Sequence, residues 1–247
     1  MIEGHALNTV ISSAQADYDA LRYVSPERHC PYLPDKKARS EAYSVDQLDS
    51  GVYERLLTCG FRRSGRVVYR PRCRGCGECR QIRVPIESFR PTRSMRRVIR
   101  RNADVIVEVG RPAPDREKFA VYCRYLDAKH DESMTRSYDT FCEFLYDSPM
   151  ETCEFRYHLN GRLMGVSIAD RLSRGLSSVY MYFDPEFAER SPGTFSVLWE
   201  IDYCRRAGLT YYYLGFYVAG SATMSYKGRF RPNEILVGDD RWVTLRV

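Results

Sequence analysis

EFRYHLNGRLMGVSIADRL, residues 154–172, alternates apolar and polar side chains on either side of Asn160-Gly161. A period of two places successive side chains on opposite faces of a strand, and Asn-Gly supplies the two left-handed residues that a tight hairpin requires. Two antiparallel strands are expected here. LSSVYMYFD at 176–184 reads as a third. ERSPGTFSVLWEIDYCRRAGL at 189–209 is a Pro-Gly turn opening into a helix, with Phe195, Leu198, Trp199 and Tyr203 on its inner face, Arg205 and Arg206 in the last turn and Gly208 after it. TYYYLGFYV at 210–218 then reads as a buried strand. The order is strand, strand, strand, glycine turn, helix, strand.

Upstream, Val45, Leu48, Val52, Leu56 and Leu57 recur at helical spacing before Gly60. RVVYR at 66–70 and QIRVPI at 81–86 read as short strands on either side of a cysteine loop. DVIVEVG at 104–110 is a further strand, followed by a proline-marked turn. Residues 115–130 form a helix with Asp115 as its cap and Phe119, Tyr122 and Leu126 on one face, and YDTFCEFLY at 138–146 forms another. The chain divides into a Cys- and Arg-rich α/β region at 1–103 and a second part at 104–247, an α+β class overall. There is no internal repeat.

A chain of 247 residues can bury a proper core, and no run approaches the length of apolar residues that a membrane span needs. The first 23 residues lack a basic region followed by an apolar core, so no signal peptide is expected and the cytoplasm is the expected compartment. Nine cysteines are then expected to be reduced. Between Arg62 and Arg101 there are fourteen arginines, no lysine and only Glu78 and Glu87 as acids, a net of +12 in a chain of net charge +6, which leaves the remainder at −6. Such a segment suits a polyanionic partner, and arginine favours bidentate phosphate contacts. The alternative is a solvated face paired with acids elsewhere in the fold.

Cys73, Cys76 and Cys79 supply three thiols at turn spacing, suited to metal or to packing as reduced core residues. Cys59, Cys123, Cys142, Cys153 and Cys204 read as small hydrophobes.

The strand and helix order from 154 to 218 is similar to the core of the GNAT acyltransferase fold, in which the turn before the helix cradles a pyrophosphate on backbone amides. Here that turn is Arg190, Ser191, Pro192, Gly193, Thr194, Phe195. Phenylalanine is expected to obstruct close backbone approach and Pro192 has no N–H, so the coenzyme-A site is expected to be lost. An acyl donor that suits both this pocket and an arginine-rich surface is aminoacyl-tRNA.

CPYLP at 30–34, GFRRSG at 60–65 with YRP at 69–71 and the cysteines up to 79, FRPTRSMRR at 89–97, FDP at 183–185, YLGF at 213–216 and MSYKGRFRP at 224–232 resemble the arginyl-tRNA-protein transferase family, and the short length resembles its bacterial aspartate/glutamate leucyltransferase branch. Ser221 and Thr223 stand where many members carry a cysteine and a basic residue. The resemblance implies transfer of an amino acid, leucine for that branch, from its tRNA to the amino terminus of proteins beginning with Asp or Glu, in an N-degron degradation pathway. It also aligns Cys30 with Cys73, Cys76 and Cys79, a four-thiolate set for a structural or regulatory zinc ion or iron–sulfur cluster.

An aminoacyl ester is already activated and an α-amine with a pKa of about 8 is partly neutral in the cytosol, so positioning and oxyanion stabilisation carry the chemistry without a cofactor. No Ser-His-Asp triad can be read: His5, His29, His130 and His158 lie apart. Lys227 and Arg229 are the candidates for binding the acidic acceptor. Arg62, Arg63, Arg93, Arg96 and Arg97 are the candidates for the tRNA, with Arg190, Ser191 and Gly193 at the donor turn. Asp184 is read as holding or deprotonating the amine, or as a turn residue before Pro185; Tyr226 as an oxyanion donor, or as a core tyrosine; Lys227, alternatively, as a solvated lysine. Three rivals are an arginyl-tRNA donor, a metal-stabilised nucleic-acid-binding regulator and a coenzyme-A acetyltransferase. Oligomeric state is not specified by the sequence.

Overall fold

The computed structural model describes residues 22–129, 135–238 and 240–246. The segment read for a signal peptide falls almost wholly outside them, as do His5 and His130. Strands β1 (Arg22–Val24), β4 (Ser40–Ser44), β5 (Arg62–Ser64) and β6 (Val67–Pro71) form a small antiparallel sheet in the order β1-β4-β6-β5, and β2 (Arg28–His29) pairs with β3 (Lys37–Ala38) beside it. Helix α1 (Ser50–Thr58) covers the small sheet. It starts later than the apolar spacing predicts because the Asp49 carboxylate accepts from the N–H groups of Gly51 and Val52 at 2.8 and 3.0 Å. Val45 and Leu48 still enter the same core from outside the helix.

β7 (Arg80–Pro85) leaves the small sheet and enters a large one. Helix α2 (Arg93–Arg101), capped by Thr92, follows. Its apolar stripe of Met95 and Val98 is too thin for periodicity to reveal, yet Met95 is buried and Val98 packs on the main core. Next come β8 (Ile106–Gly110), α3 (Arg116–Lys129) with Asp115 accepting from the Lys118 N–H at 2.8 Å, and α4 (Tyr138–Leu145).

β9 (Thr152–Leu159) and β10 (Arg162–Arg171) form the expected hairpin, with Asn160 at φ 51° and Gly161 at φ 76°. β11 (Gly175–Phe183) pairs antiparallel with β10, and α5 (Pro192–Arg206) crosses to β12 (Tyr211–Tyr217), which lies parallel to β11. With β13 (Glu234–Leu236) and β14 (Trp242–Thr244), the large sheet runs β14-β13-β7-β12-β11-β10-β9-β8. A cut at residue 103 therefore does not separate two sheets: β7, upstream of it, is the antiparallel neighbour of β12.

The faces of the large sheet are covered differently. Phe155 and Tyr157 of β9 pack with Met95 of α2 and with Phe195, Leu198 and Ile201 of α5. Val166 and Ile168 of β10 stand opposite Arg156 and Glu154, hence on the other face, and meet Val121, Tyr122 and Leu126 of α3 and Phe141 of α4. The result is a mixed α/β structure with helices on both sides of one sheet.

Candidate active site

β11 and β12 pair only through Gly175–Tyr211, Leu176–Tyr212 and Ser177–Tyr213. Register shifts follow at once, in β10–β11 after Ile168 and in β12–β7 between Tyr213 and Gly215. Such bulges bend strands, and beyond them Ser178–Phe183 and Leu214–Tyr217 run on without pairing to each other, each still bound to its outer neighbour, β10 or β7. The two strands thus splay into a cleft on the C-terminal side of parallel strands, where open α/β sheets bind ligands.

Arg62, reaching over from β5, occupies the floor of this splay. Its guanidinium donates to Ser177 Oγ at 3.1 Å and to the Ser178 carbonyl. Gly215 makes the approach possible: at φ 87° it is left-handed, and a Cβ there would stand 3.1 Å from the Arg62 Cζ. From the far side comes Lys227, on the single-turn helix 225–229. Its Nζ donates to the Phe216 carbonyl at 2.8 Å and lies 3.8 Å from Met224 Sδ. Burial, reinforced by the Arg62 charge, lowers the Lys227 amine to about 7. Tyr226 is 37% exposed beside it. Arg229, two residues on, is exposed, so the second cation at the floor is Arg62 and not Arg229.

The other expected residues are distributed by burial. Arg63 is no surface cation: Nε and Nη2 grip Asp170 at 2.8 and 2.6 Å with both side chains closed to solvent, and Nη1 donates to the Gly65 carbonyl. Arg70 and Arg72 bind Glu41, and Arg83 binds Glu234 while lying over the Tyr211 and Trp242 rings at 3.8 and 4.0 Å. Burial alone would raise the Glu41 carboxyl, but hydrogen bonds from Arg72, Tyr43 and Arg70 bring it down to about 2. For this half of the belt, pairing with distant acids is the correct reading. Helix α2 differs: Arg93, Arg96, Arg97 and Arg100 are exposed and have no carboxylate partner among the described residues.

α2 runs antiparallel to α5. Its C-terminal end is tied to the cleft mouth, where Asn102 donates to the Arg190 carbonyl at 2.9 Å, Arg101 donates to the Glu189 carbonyl, and Arg190 grips Asp104 at 2.7 and 3.1 Å. Arg190 is thus a strut between helices and not a free phosphate ligand. At the opposite end, Arg205 of α5 donates to the Phe89 carbonyl, just ahead of α2, at 3.2 Å.

Ser191 is left-handed at φ 57°, and its carbonyl accepts the N–H groups of Thr194 and Phe195, both at 3.0 Å. Those amides are internally satisfied and Pro192 has none, which leaves Gly193 as the open amide of the turn. Phe195 does not obstruct the turn, as its sequence position implied; it points into the core, 5% exposed, against Tyr157. Asp184 is also engaged on both oxygens, one accepting from the Glu186 N–H at 3.1 Å and the other held by Arg124 at 2.7 and 3.0 Å. It serves as a turn cap and ion-pair partner, the turn-residue reading of this position.

The four aligned thiols lie in the same part of the fold. Burial pushes the Cys79 thiol up to about 12, and Cys30, Cys73 and Cys76 lie near enough to add to the shift. The Arg39 N–H donates to Cys73 Sγ at 3.4 Å. Among the described residues, no group of three or more His, Cys, Asp or Glu is arranged to hold a metal ion.

Sequence reasoning missed the position of Arg62 in the splay, the Arg124 partner of Asp184 and the carboxyl of Glu200, which lies under the sheet with the Tyr212 and Tyr157 hydroxyls donating to it at 2.7 and 3.1 Å. Gly215 beside a bulge was the one local signal of close approach.

The chain is similar to known proteins over most of its length. The family model described as "Arginine-tRNA-protein transferase, N terminus" matches residues 28–97, and "Arginine-tRNA-protein transferase, C terminus" matches 117–237. An aspartate/glutamate leucyltransferase of Hahella chejuensis is 36% identical over 226 residues, covering 90% of this chain and 96% of its own. Proteins of the same name from Pseudomonas putida and Pseudomonas aeruginosa are 38% identical over 226 residues (90% and 96%) and 37% over 229 residues (91% and 97%). Among solved structures, FemX aligns at 11% identity with a TM-score of 0.45, over 85% of this chain and 82% of that one. No described helix is long and apolar enough to cross a membrane.

Proposed function

We propose, from the premise that this chain belongs to the arginine-tRNA-protein transferase family, that it transfers leucine from Leu-tRNA to the amino terminus of proteins beginning with Asp or Glu, in the cytoplasm, and that its core is GNAT-like. The names of the relatives support leucine as the donor. The strand order β9 to β12, with α5 crossing over and the splay beyond Ser177, supports the fold reading.

One observation carries the mechanism. The exposed arginine ridge of α2 leads to the mouth of the cleft, fixed there by Asn102, Arg101 and Asp104. A bound acceptor stem lying along Arg93, Arg96 and Arg97 directs its esterified 3′ end toward Ser191, Gly193 and the splay. The acceptor's α-amine attacks the ester carbonyl; the C–N bond forms, the C–O bond to the tRNA breaks, and the proton lost by the amine is relayed through water to the leaving ribose oxygen, which departs as the free hydroxyl. An amine with a pKa of about 8 presents enough free base for this without a dedicated carboxylate. In this reading Tyr226 donates to the developing oxyanion and Lys227 receives the acidic side chain.

Cys30, Cys73, Cys76 and Cys79 are proposed as ligands of a structural or regulatory zinc ion or iron–sulfur cluster on the chemistry of the donor set, although they are not arranged as a metal site here and must close around the ion. Thiol donors suit a soft metal, and loading must expel their protons. Metal analysis of anaerobically purified protein and of Cys79→Ser tests this: equal metal in both rejects it.

Radiolabelled Leu-tRNA and Arg-tRNA, offered in parallel to peptides beginning with Asp, Glu, Lys or Ala, test the function. Label from Leu-tRNA on the Asp and Glu peptides is expected. No label on acidic peptides defeats the reading, and label from Arg-tRNA alone reverses the donor.

A further inference from the structure

We propose that Arg62 and Lys227 form one anion-binding site at the floor of the cleft, and that it takes the side-chain carboxylate of the acceptor's first residue. The proposal rests on the transferase reading and adds to it the second cation, supplied across the splay by the small sheet.

The fold's treatment of its other buried cations carries the argument. Arg63, adjacent in sequence to Arg62, is given the whole carboxylate of Asp170. Lys118, also buried, binds Glu154 at 2.8 Å, and Arg70 and Arg83 have Glu41 and Glu234. Arg62 and Lys227 are 7% and 9% exposed, yet among the described residues no carboxylate pairs with either: they hydrogen-bond Ser177 Oγ, the Ser178 and Phe216 carbonyls and the Met224 sulfur, and the acidic group whose field reaches Lys227 is the Cys79 thiol, which burial pushes toward its neutral form. Two like charges, desolvated and near enough to interact, are unfavourable unless an anion joins them. The Arg62 charge does act on Lys227, in the direction of driving its proton off.

A carboxylate suits the pair. Guanidinium gives a planar fork matched to two oxygens, and an ammonium adds a movable third donor. The site lies where β11 and β12 have parted, next to the carbonyl of Phe216 and the turn that carries Tyr226, so a side chain anchored here keeps its own α-amine within the cleft. An amide in place of the carboxylate leaves both cations uncompensated, which provides discrimination against Asn and Gln.

Calorimetry with the unblocked dipeptides Asp-Ala and Asn-Ala, without tRNA, tests the site directly. Wild-type protein is expected to prefer Asp-Ala by about 100-fold or more. Arg62→Gln and Lys227→Met are each expected to cut that preference by at least about tenfold, and the double variant to lose little more than the worse single, because both act on one anion. If Arg62→Gln fails to fold, Arg62→Lys and Ser177→Ala replace it: the first should retain part of the preference and the second should reduce it by loosening the guanidinium. Unchanged preference in these variants, or additive losses, overturns the shared site. Wild-type protein that moves leucine to acidic peptides while its Arg62 variants keep the full Asp-over-Asn preference rejects the site alone. Absence of transfer by wild type rejects the transferase reading, and the dipeptide titration still decides the site.

Discussion

Arg63 of β5 holds Asp170 of β10 through two hydrogen bonds of 2.6 and 2.8 Å, with neither side chain open to solvent and Thr152 Oγ1 donating to the same carboxylate at 2.8 Å. This pair joins the small sheet to the large one and sets the position of its neighbour Arg62 in the cleft.

Because a buried charge left alone is far more costly than a missing pair, Arg63→Met should lower unfolding free energy by about 3–5 kcal/mol. Arg63→Met with Asp170→Leu should recover much of that loss. Urea titrations of the three variants measure it; a double variant as weak as the single would contradict the account.

Lys227→Met removes a desolvated cation that has no carboxylate partner among the described residues. It should leave the melting temperature unchanged or higher, by up to about 1 kcal/mol of stability, while raising KM for acidic acceptors at least tenfold and leaving tRNA affinity intact. Equal losses in acceptor use and tRNA binding would count against the assignment.

The ridge of α2 should act through phosphates. Arg93→Gln, Arg96→Gln and Arg97→Gln should each reduce the slope of log affinity for tRNA against log salt by about 1, with little change in stability, since all three are exposed. Filter binding across a salt series reads this out. Slopes equal to wild type would remove α2 from the RNA interface.

Burial raises the Glu200 carboxyl to about 7, against the opposing pull of its hydrogen bonds from Tyr212 and Tyr157. A folded pKa above the unfolded value contributes stability that is fully present below the unfolded pKa, here about 4.5, and is lost as pH rises through the folded one. Relative to Glu200→Gln, the wild type should therefore lose about 3 kcal/mol between pH 4.5 and 7 and stay level above. Denaturation of both proteins across that range checks the sign, and a wild type that gains stability relative to Glu200→Gln as pH rises would refute it.

Local signals were legible where the physics is local. The Asn160-Gly161 turn, the alternation of β9 and β10, the Asp115 cap and the inward face of α5 follow from backbone preferences and side-chain period within a few residues. Motifs spread along the chain carried the family. Helix α2 was hidden because its three apolar residues, Met95, Val98 and Ile99, are outnumbered by five arginines, so the segment read as a basic surface before it read as a helix.

The sequence by itself determined the strand–helix order, the hairpin and the concentration of charge. Only the tertiary structure decided what each arginine does, because depth and partner are set by residues far along the chain: Ser177 lies 115 residues from Arg62, and Asp170 lies 107 from Arg63. Two adjacent arginines of one short strand point to opposite sides of it, so one locks the sheets together and the other enters the cleft, a difference that no reading of composition or spacing contains.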